Sequence, residues 1–403
     1  MRIALLNRRV MPEGGVSLAA FRLAQALTEA GHEAEVLYTE GEPPAELAAI
    51  SRRLSAGEGD GISATAVSRE LERLDPALVL VGSGKLSDLL AAAAVAPAVL
   101  HAHMHNGVCA DNARYWSRLR RPCPVRAGWH CAMLRPAMGC ANLKRTLDPG
   151  HVVAQRELLA ALIGDGVGVL CVSTDQACLF AEHGVDPSQT AVLPNLGIVA
   201  EPERLAALSR ETPPEWRDAT AFFGRLSKAK GVQLLPPLAA ALPASARLRI
   251  FGDGYLAPRL SGLPAGTLCG HVAQDAVTGV LMWARAAVFP SLWPEPGGIV
   301  GVDAQVIGVP LAAFDVGAAR FWPAAQRFPR GDVAAMAAWL GGQTPRSRAR
   351  DPEAVAAAQR GYRERVGRRA AAALESFARE RSFGPLEPAV AEELIPAPLA
   401  SVG

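Results

Sequence analysis

Along the first 200 residues, short apolar runs alternate with longer stretches in which apolar positions recur every three or four residues. Ile3-Ala-Leu-Leu6 reads as a buried strand. A turn at Gly14-Gly15 follows, then an amphipathic helix over 16–30 that places Leu18, Phe21, Leu23, Ala26 and Leu27 near one face and stops at Gly31. Further strands are predicted at Ala34–Tyr38, Leu78–Val81, Ala98–His101, Val167–Val172 and Thr190–Leu193. Strands separated by helices and short links describe a parallel, doubly wound α/β sheet. Residues 200–219 are polar and Pro-rich, which reads as an interdomain link. The alternation then restarts, with strands at Thr220–Phe223, Leu248–Phe251, Gly266–Cys269, Ala286–Phe289 and Val309–Ala313 and helices at 231–242, 275–285, 299–307 and 332–341. The pattern therefore predicts two doubly wound domains, 1–200 and 201–350. A charged, alanine-rich helical segment at 351–383 and a loosely ordered tail at 384–403 follow them.

Composition agrees with two globular domains. The chain has 403 residues, half of them apolar, with a net charge of +2 and a mean hydropathy of +0.15, so it can bury a core in each half. A charge this small argues against a surface built wholly for nucleic acid. The first residues lack a signal-peptide core, and no stretch reaches the ~18–20 uninterrupted apolar residues of a membrane span, so the expectation is a soluble cytoplasmic protein. Seven cysteines, an odd number, argue against a disulfide framework. Cys109, Cys123, Cys131 and Cys140 lie in an Arg-rich segment, 109–145, and lack the close pairing of most zinc sites. Structural zinc there is weighed against ordinary thiols, and the thiols are favoured. From Asp111 to Arg145 eight Arg or Lys face one acid. If this segment meets an anionic membrane or a phosphorylated acceptor, Arg114, Arg118, Arg120 and Arg121 are expected to form the contact, with Trp116 as anchor. A solvated basic surface is the commoner meaning.

Three clusters carry candidate chemistry. Gly14-Gly15 sits between the first strand and the first helix, where backbone N–H groups and a positive helix end favour a phosphate. Gly224-Arg-Leu-Ser-Lys-Ala-Lys-Gly231 follows a strand, and Arg225 and Lys230 can bring a guanidinium fork and an ammonium to one diphosphate. The chain has only four lysines, and two of them fall here. In Glu295-Pro-Gly-Gly-Ile-Val-Gly-Val-Asp303 two carboxylates flank a Gly pair that opens a helix. Glu295 is expected just before that helix and Asp303 about two turns in. The carboxylates can accept hydrogen bonds from two sugar hydroxyls, while the Gly298 and Ile299 N–H groups face a phosphate. Gly252-Asp-Gly-Tyr-Leu-Ala257 also fits, weakly, a dinucleotide fingerprint.

In order along the chain, Gly14-Gly15…Gly31-His32, Gly224-Arg-Leu…Lys230-Gly231, Gly252-Asp-Gly254 and Pro290-Ser291…Glu295-Pro-Gly-Gly298…Asp303-Ala304…Gly308-Val-Pro310 resemble the pattern of retaining glycosyltransferases of the GT-B fold, family 4. The resemblance implies two Rossmann-like domains facing across a cleft and a sugar moved from a nucleotide-sugar donor, UDP- or GDP-type, to an acceptor hydroxyl with retention. It implies that Arg225 and Lys230 hold the donor diphosphate, Glu295 bonds the donor sugar and Asp303 bonds the ribose. Glu is usual at position 303 in the family, and the shorter Asp departs from that. Val272 matches the segment that reads the base, and Asn195 an Asn at the end of the first half. Of His101, His103 and His105, the His-Asn pair favours His105 as the first half's His near the donor sugar. The alternating histidines could instead bind metal, but no Asp-x-Asp motif occurs, so no metal is expected to be required for catalysis. The acceptor is expected to be a glycan, a lipid-linked or a small molecule, with no nucleic acid partner. The rival readings are a GT-B-fold nucleotide-sugar epimerase and a non-catalytic sugar-nucleotide-binding subunit.

Overall fold

The apolar runs become the strands of two parallel sheets. The computed structural model describes residues 1–7, 9–10, 15–43, 45–54, 64–82, 85–140, 149–164, 166–384 and 394–395. The chain divides into two compact units. One comprises Met1–Arg114, Pro124–Leu196 and Arg363–Ala391, the other Tyr115–Cys123, Gly197–Tyr362 and Glu392–Gly403.

In the first unit, strands β1 (Arg2–Leu6), β2 (Glu33–Tyr38), β3 (Ser51–Arg53), β4 (Leu78–Val81) and β5 (Ala98–Ala102) are joined by β8 (Gly168–Cys171) and β9 (Thr190–Val192). They form a seven-stranded sheet of order β3-β2-β1-β4-β5-β8-β9, parallel throughout. Helices α1 (Gly15–Glu29), α2 (Ala64–Leu74), α3 (Leu86–Ala93), α4 (Cys131–Met138), α5 (Pro149–Gly164) and α6 (Thr174–Glu182) connect them. Every residue of β4, β5 and β8 is buried, as a sheet covered on both faces requires. Leu6, Val79, Leu100 and Val169 meet Leu71, Leu89, Leu158 and Phe180 in one core.

The second unit repeats the plan. Helices α7 (Pro202–Glu211), α8 (Leu235–Ala241), α9 (Gln274–Trp283), α10 (Ile299–Ile307) and α11 (Val333–Gly341) belong with a six-stranded sheet. Its strands β10 (Thr220–Phe223), β11 (Leu248–Phe251), β12 (Leu268–Gly270), β13 (Ala286–Phe289), β14 (Leu311–Phe314) and β15 (Ala325–Phe328) run in the order β12-β11-β10-β13-β14-β15. In both sheets the order reverses beside the first strand, at β1/β4 and β10/β13, and such a reversal opens a crevice at the strands' carboxyl ends. β10 and β13 pair only at Thr220–Ala286 and Ala221–Ala287, although both strands run two residues further.

Several local expectations change. Residues 200–219 are not an open link, because Pro202 starts α7 and Leu205 and Leu208 are buried. A Pro at the first turn lacks only an N–H that would be unpaired anyway. The hairpin of β6 (Tyr115–Trp116) and β7 (Arg121–Pro122) belongs to the second unit although the chain around it belongs to the first. The last helix, α12 (Pro352–Glu380), buries Val355, Tyr362, Val366, Ala370, Leu374 and Phe377 along one stripe. It counts with the second unit up to Tyr362 and with the first from Arg363. Phe377 stacks on Phe383, and Ser188 accepts the Phe383 N–H at 2.7 Å, fixing the helix end. Of the tail, only Gly384, Leu394 and Ile395 are described, and Ile395 is buried. Among the described residues no helix is long and apolar enough to cross a membrane.

Candidate active site

The switch point of the second sheet is where its loops converge. The loop after β10 carries Gly224–Gly231, and the loop after β13 carries Pro290–Gly298. Main-chain bonds join them, Leu292 and Trp293 both donating to the Ala229 carbonyl, at 2.8 and 3.3 Å. Gly231 makes this approach possible. It sits at φ 72°, and a Cβ there would lie 1.8 Å from the Pro290 carbonyl oxygen. On the other side of β10, a Cβ on Gly252 would lie 2.1 Å from the Gly224 carbonyl, and Leu226 donates to the Asp253 carbonyl at 2.6 Å. The glycines of Gly252-Asp-Gly254 are thus explained by loop packing, which removes the reason to read them as a nicotinamide fingerprint.

Lys230 and Glu295, 65 positions apart, are brought into an ion pair between the Lys230 Nζ and Glu295 Oε1. The Ser291 hydroxyl donates to Glu295 Oε2 at 3.0 Å, holding the carboxylate from its other side. The ammonium also lies 5.5 Å from the Phe289 ring centroid and 6.0 Å from that of Trp293, where a cation is favoured. Arg225 is exposed on the same loop. Its neighbour Lys228 is held by two phenols, its N–H donating to the Tyr255 hydroxyl at 3.0 Å and its carbonyl accepting from Tyr115 at 3.5 Å. Burial pushes the Tyr115 phenol up to about 12, so it stays a donor.

Gly298 caps α10 in a left-handed conformation and Ile299 opens the helix, which directs the helix's first N–H groups to the same loop end. Asp303 lies just over one turn into α10, not two, because the helix starts only at Ile299. It is buried, and its Oδ1 stands where a Cβ on Gly197 would be, 2.0 Å from that point. Val272 is half-buried between β12 and α9. The structure thus joins Lys230 to Glu295 and sets Arg225, Gly298, Ile299 and Asp303 on neighbouring segments of one unit.

The first unit holds the remaining candidates. Asn195 is buried near the end of that unit's middle stretch, Pro124–Leu196. Gly14 lies outside the described residues, and Gly15 opens α1. β5 ends at Ala102, so only His101 is on the strand, and the three histidines do not share a strand face. His101 and His105 are buried, and His103, partly exposed as a residue, has its Nε2 buried. The His101 and His103 rings lie 3.9 Å apart. Burial lowers the His103 imidazole to about 4 and that of His101 well below its usual range, so both are neutral at pH 7.

Other expectations move. Trp116 is buried under Arg121, whose guanidinium lies 5.4 Å from its ring centroid, so it cannot anchor in a membrane. Cys109, Cys131 and Cys140 belong to the first unit and Cys123 to the second. The Cys109 sulfur accepts the Asp111 and Arg114 N–H groups. Among the described residues no group of three or more His, Cys, Asp or Glu is placed to hold a metal. The sequence did not single out Ser291, Tyr115 or Tyr255 as site residues. Ser291 lies within the matched Pro-Ser block and could have been found there, whereas Tyr115 reaches Lys228 from 113 positions away.

The sequence profile of Glycosyltransferase Family 4 matches residues 13–196, and that of Glycosyl transferases group 1 matches residues 217–340. No curated protein matches the chain. Among solved structures, HepE of Anabaena in complex with UDP is 17% identical, with a TM-score of 0.62 over 93% of this chain and 100% of that one. AviGT4, a glycosyltransferase involved in avilamycin A biosynthesis, is 18% identical, with a TM-score of 0.60 over 94% and 98%. WaaG, a glycosyltransferase involved in lipopolysaccharide biosynthesis, is 16% identical, with a TM-score of 0.57 over 93% and 97%. Two profiles in the family's order, two Rossmann-like sheets and the paired loops at the second switch point agree, and the chain is a GT-B glycosyltransferase that belongs to glycosyltransferase family 4, group 1.

Proposed function

We propose that this enzyme moves a sugar from a UDP-linked donor to an acceptor hydroxyl, with retention and without a catalytic metal. The observation that carries the reading is the meeting of Lys230 with the Ser291-supported Glu295 at one switch point, beside the start of α10 and with Arg225 exposed on the Lys230 loop. HepE has been solved with UDP and with UDP-glucose, which supports uridine as the base.

In this mechanism Lys230 keeps one ammonium proton on Glu295 and turns the others to the diphosphate, joined by the Arg225 fork and the Gly298 and Ile299 N–H groups. The bond between the sugar's anomeric carbon and the β-phosphate oxygen breaks, and its electron pair stays on that oxygen. These groups stabilise the charge as it forms. The acceptor hydroxyl attacks from the face the phosphate leaves and gives its proton to the departing phosphate oxygen, so configuration is retained. Glu295, one oxygen held by Ser291, takes a hydrogen bond from a donor-sugar hydroxyl. Asp303 serves the ribose, Val272 the base, and Asn195 and Gly15 complete the proposed donor-binding set. His105 is the proposed contribution of the first unit.

The test is a thermal-shift comparison of UDP, GDP and their sugars, followed by nucleotide-release assays in excess EDTA with candidate acceptors. UDP-selective stabilisation, acceptor-dependent UDP release and an unchanged anomeric configuration by NMR are expected. Release without acceptor, an inverted product or a requirement for added Mg²⁺ or Mn²⁺ would overturn the corresponding part.

A further inference from the structure

Cys109–Cys140 carries an aromatic residue that the sheet does not use. Trp129 is 62% exposed and Met133 74%. The Ala132 N–H donates to the Trp129 carbonyl and the Met133 N–H to that of His130, so the helical turn already runs at Trp129. Trp129, Met133 and Ala137 then follow one another at four-residue spacing along the outer face of α4, all exposed. Buried Arg135 points the other way and pairs with Asp111.

Cationic side chains flank this stripe, and the exposed acids Glu157 and Glu182 lie outside the segment, on α5 and α6. Arg126 and His130 are exposed beside it, His130 bonding the Arg126 carbonyl at 2.8 Å. The Arg156 guanidinium of α5 stacks 4.5 Å from the Trp129 ring centroid. From residue 111 to 140 the only acid is Asp111, whose side chain is 3% exposed and already paired. All of these residues lie in the first unit.

We propose that the Trp129–Met133 face of α4 docks on an anionic phospholipid bilayer, with Trp129 and Met133 entering the interface and Arg126, His130 and Arg156 meeting the head groups. An indole with an apolar neighbour and a cationic rim suits the boundary between acyl chains and lipid phosphates. The inference does not depend on the proposed donor or stereochemistry.

Full-length protein is sedimented with vesicles of phosphatidylcholine, with and without phosphatidylglycerol, in low and high salt. Binding only to the phosphatidylglycerol vesicles, weakened by salt, is expected. Arg126→Glu should weaken it by about fivefold for each unit of charge changed. Trp129→Ser with Met133→Ser should weaken it at least tenfold while the circular-dichroism melt stays as in wild type, because both side chains face water. Binding to neither vesicle, equal binding to both, or wild-type binding by both variants overturns the proposal. If the double variant misfolds, Arg126→Glu and the salt series decide alone.

Discussion

Replacing Gly231 by alanine adds a single methyl group at the point where the two switch-point loops touch. Two costs follow from the geometry. At φ 72° a residue with a Cβ is strained by about 1–3 kcal/mol. The new Cβ would also stand 1.8 Å from the Pro290 carbonyl oxygen, whereas ordinary contact begins near 3.4 Å. The loops must separate, and separation breaks the bonds from Leu292 and Trp293 to the Ala229 carbonyl, each worth about 0.5–1.5 kcal/mol. The total is about 2–6 kcal/mol, which at about 2–4 °C per kcal/mol lowers the second unit's calorimetric transition by roughly 10 °C. Where the loop yields instead of the unit unfolding, the ion pair of Lys230 and Glu295 is lost and UDP affinity by titration calorimetry falls about 100-fold or more. Gly262→Ala is the control, since nothing lies within 4 Å of its Cβ position. A Gly231→Ala protein that melts and binds UDP as wild type does would show that Gly231 is not needed for the approach of the two loops.

Lys230→Ala and Arg225→Ala should each cost about 2–4 kcal/mol in kcat/KM by steady-state kinetics, Arg225→Ala with little change in melting temperature and Lys230→Ala with a lowered one, because it leaves the buried Glu295 without its cation; full activity in either removes that residue from the mechanism. The Arg350 guanidinium donates to the carbonyls of Leu281, Ala284, Gly308 and Met282 at 2.8, 2.9, 3.1 and 3.3 Å, so Arg350→Met, which takes that partner from four carbonyls, should destabilise the second unit by about 2–4 kcal/mol in urea unfolding. His103 binds a proton near pH 4 when folded and near 6.5 when unfolded, so between these values the unfolded state holds more protons. Stability present above pH 6.5 should therefore fall toward pH 4, by about 3 kcal/mol, with His101 acting in the same direction; a His103→Asn protein with the wild-type pH slope would count against this.

Periodicity alone determined most of the architecture. Buried parallel strands must be apolar nearly throughout, so Leu78–Val81, Thr220–Phe223 and Ala286–Phe289 are legible as strands, and the helices between them force a parallel sheet. The strand, turn and helix punctuation also located the Lys230 and Glu295 loops, because a phosphate-binding loop needs its glycines and charges within one short stretch of chain. What lay beyond local sequence was decided by long-range contact. That Lys230 rests on Glu295 depends on β10 pairing with β13. That Pro202–Glu211 is a helix rather than a link depends on Leu205 and Leu208 finding a core. That Trp116 is buried while Trp129 is exposed could not be read from a segment in which both stand among arginines. The hairpin at 115–123 joins the second unit for the same reason: the Lys228 carbonyl its tyrosine meets lies more than a hundred residues away, and only the folded chain brings donor and acceptor together.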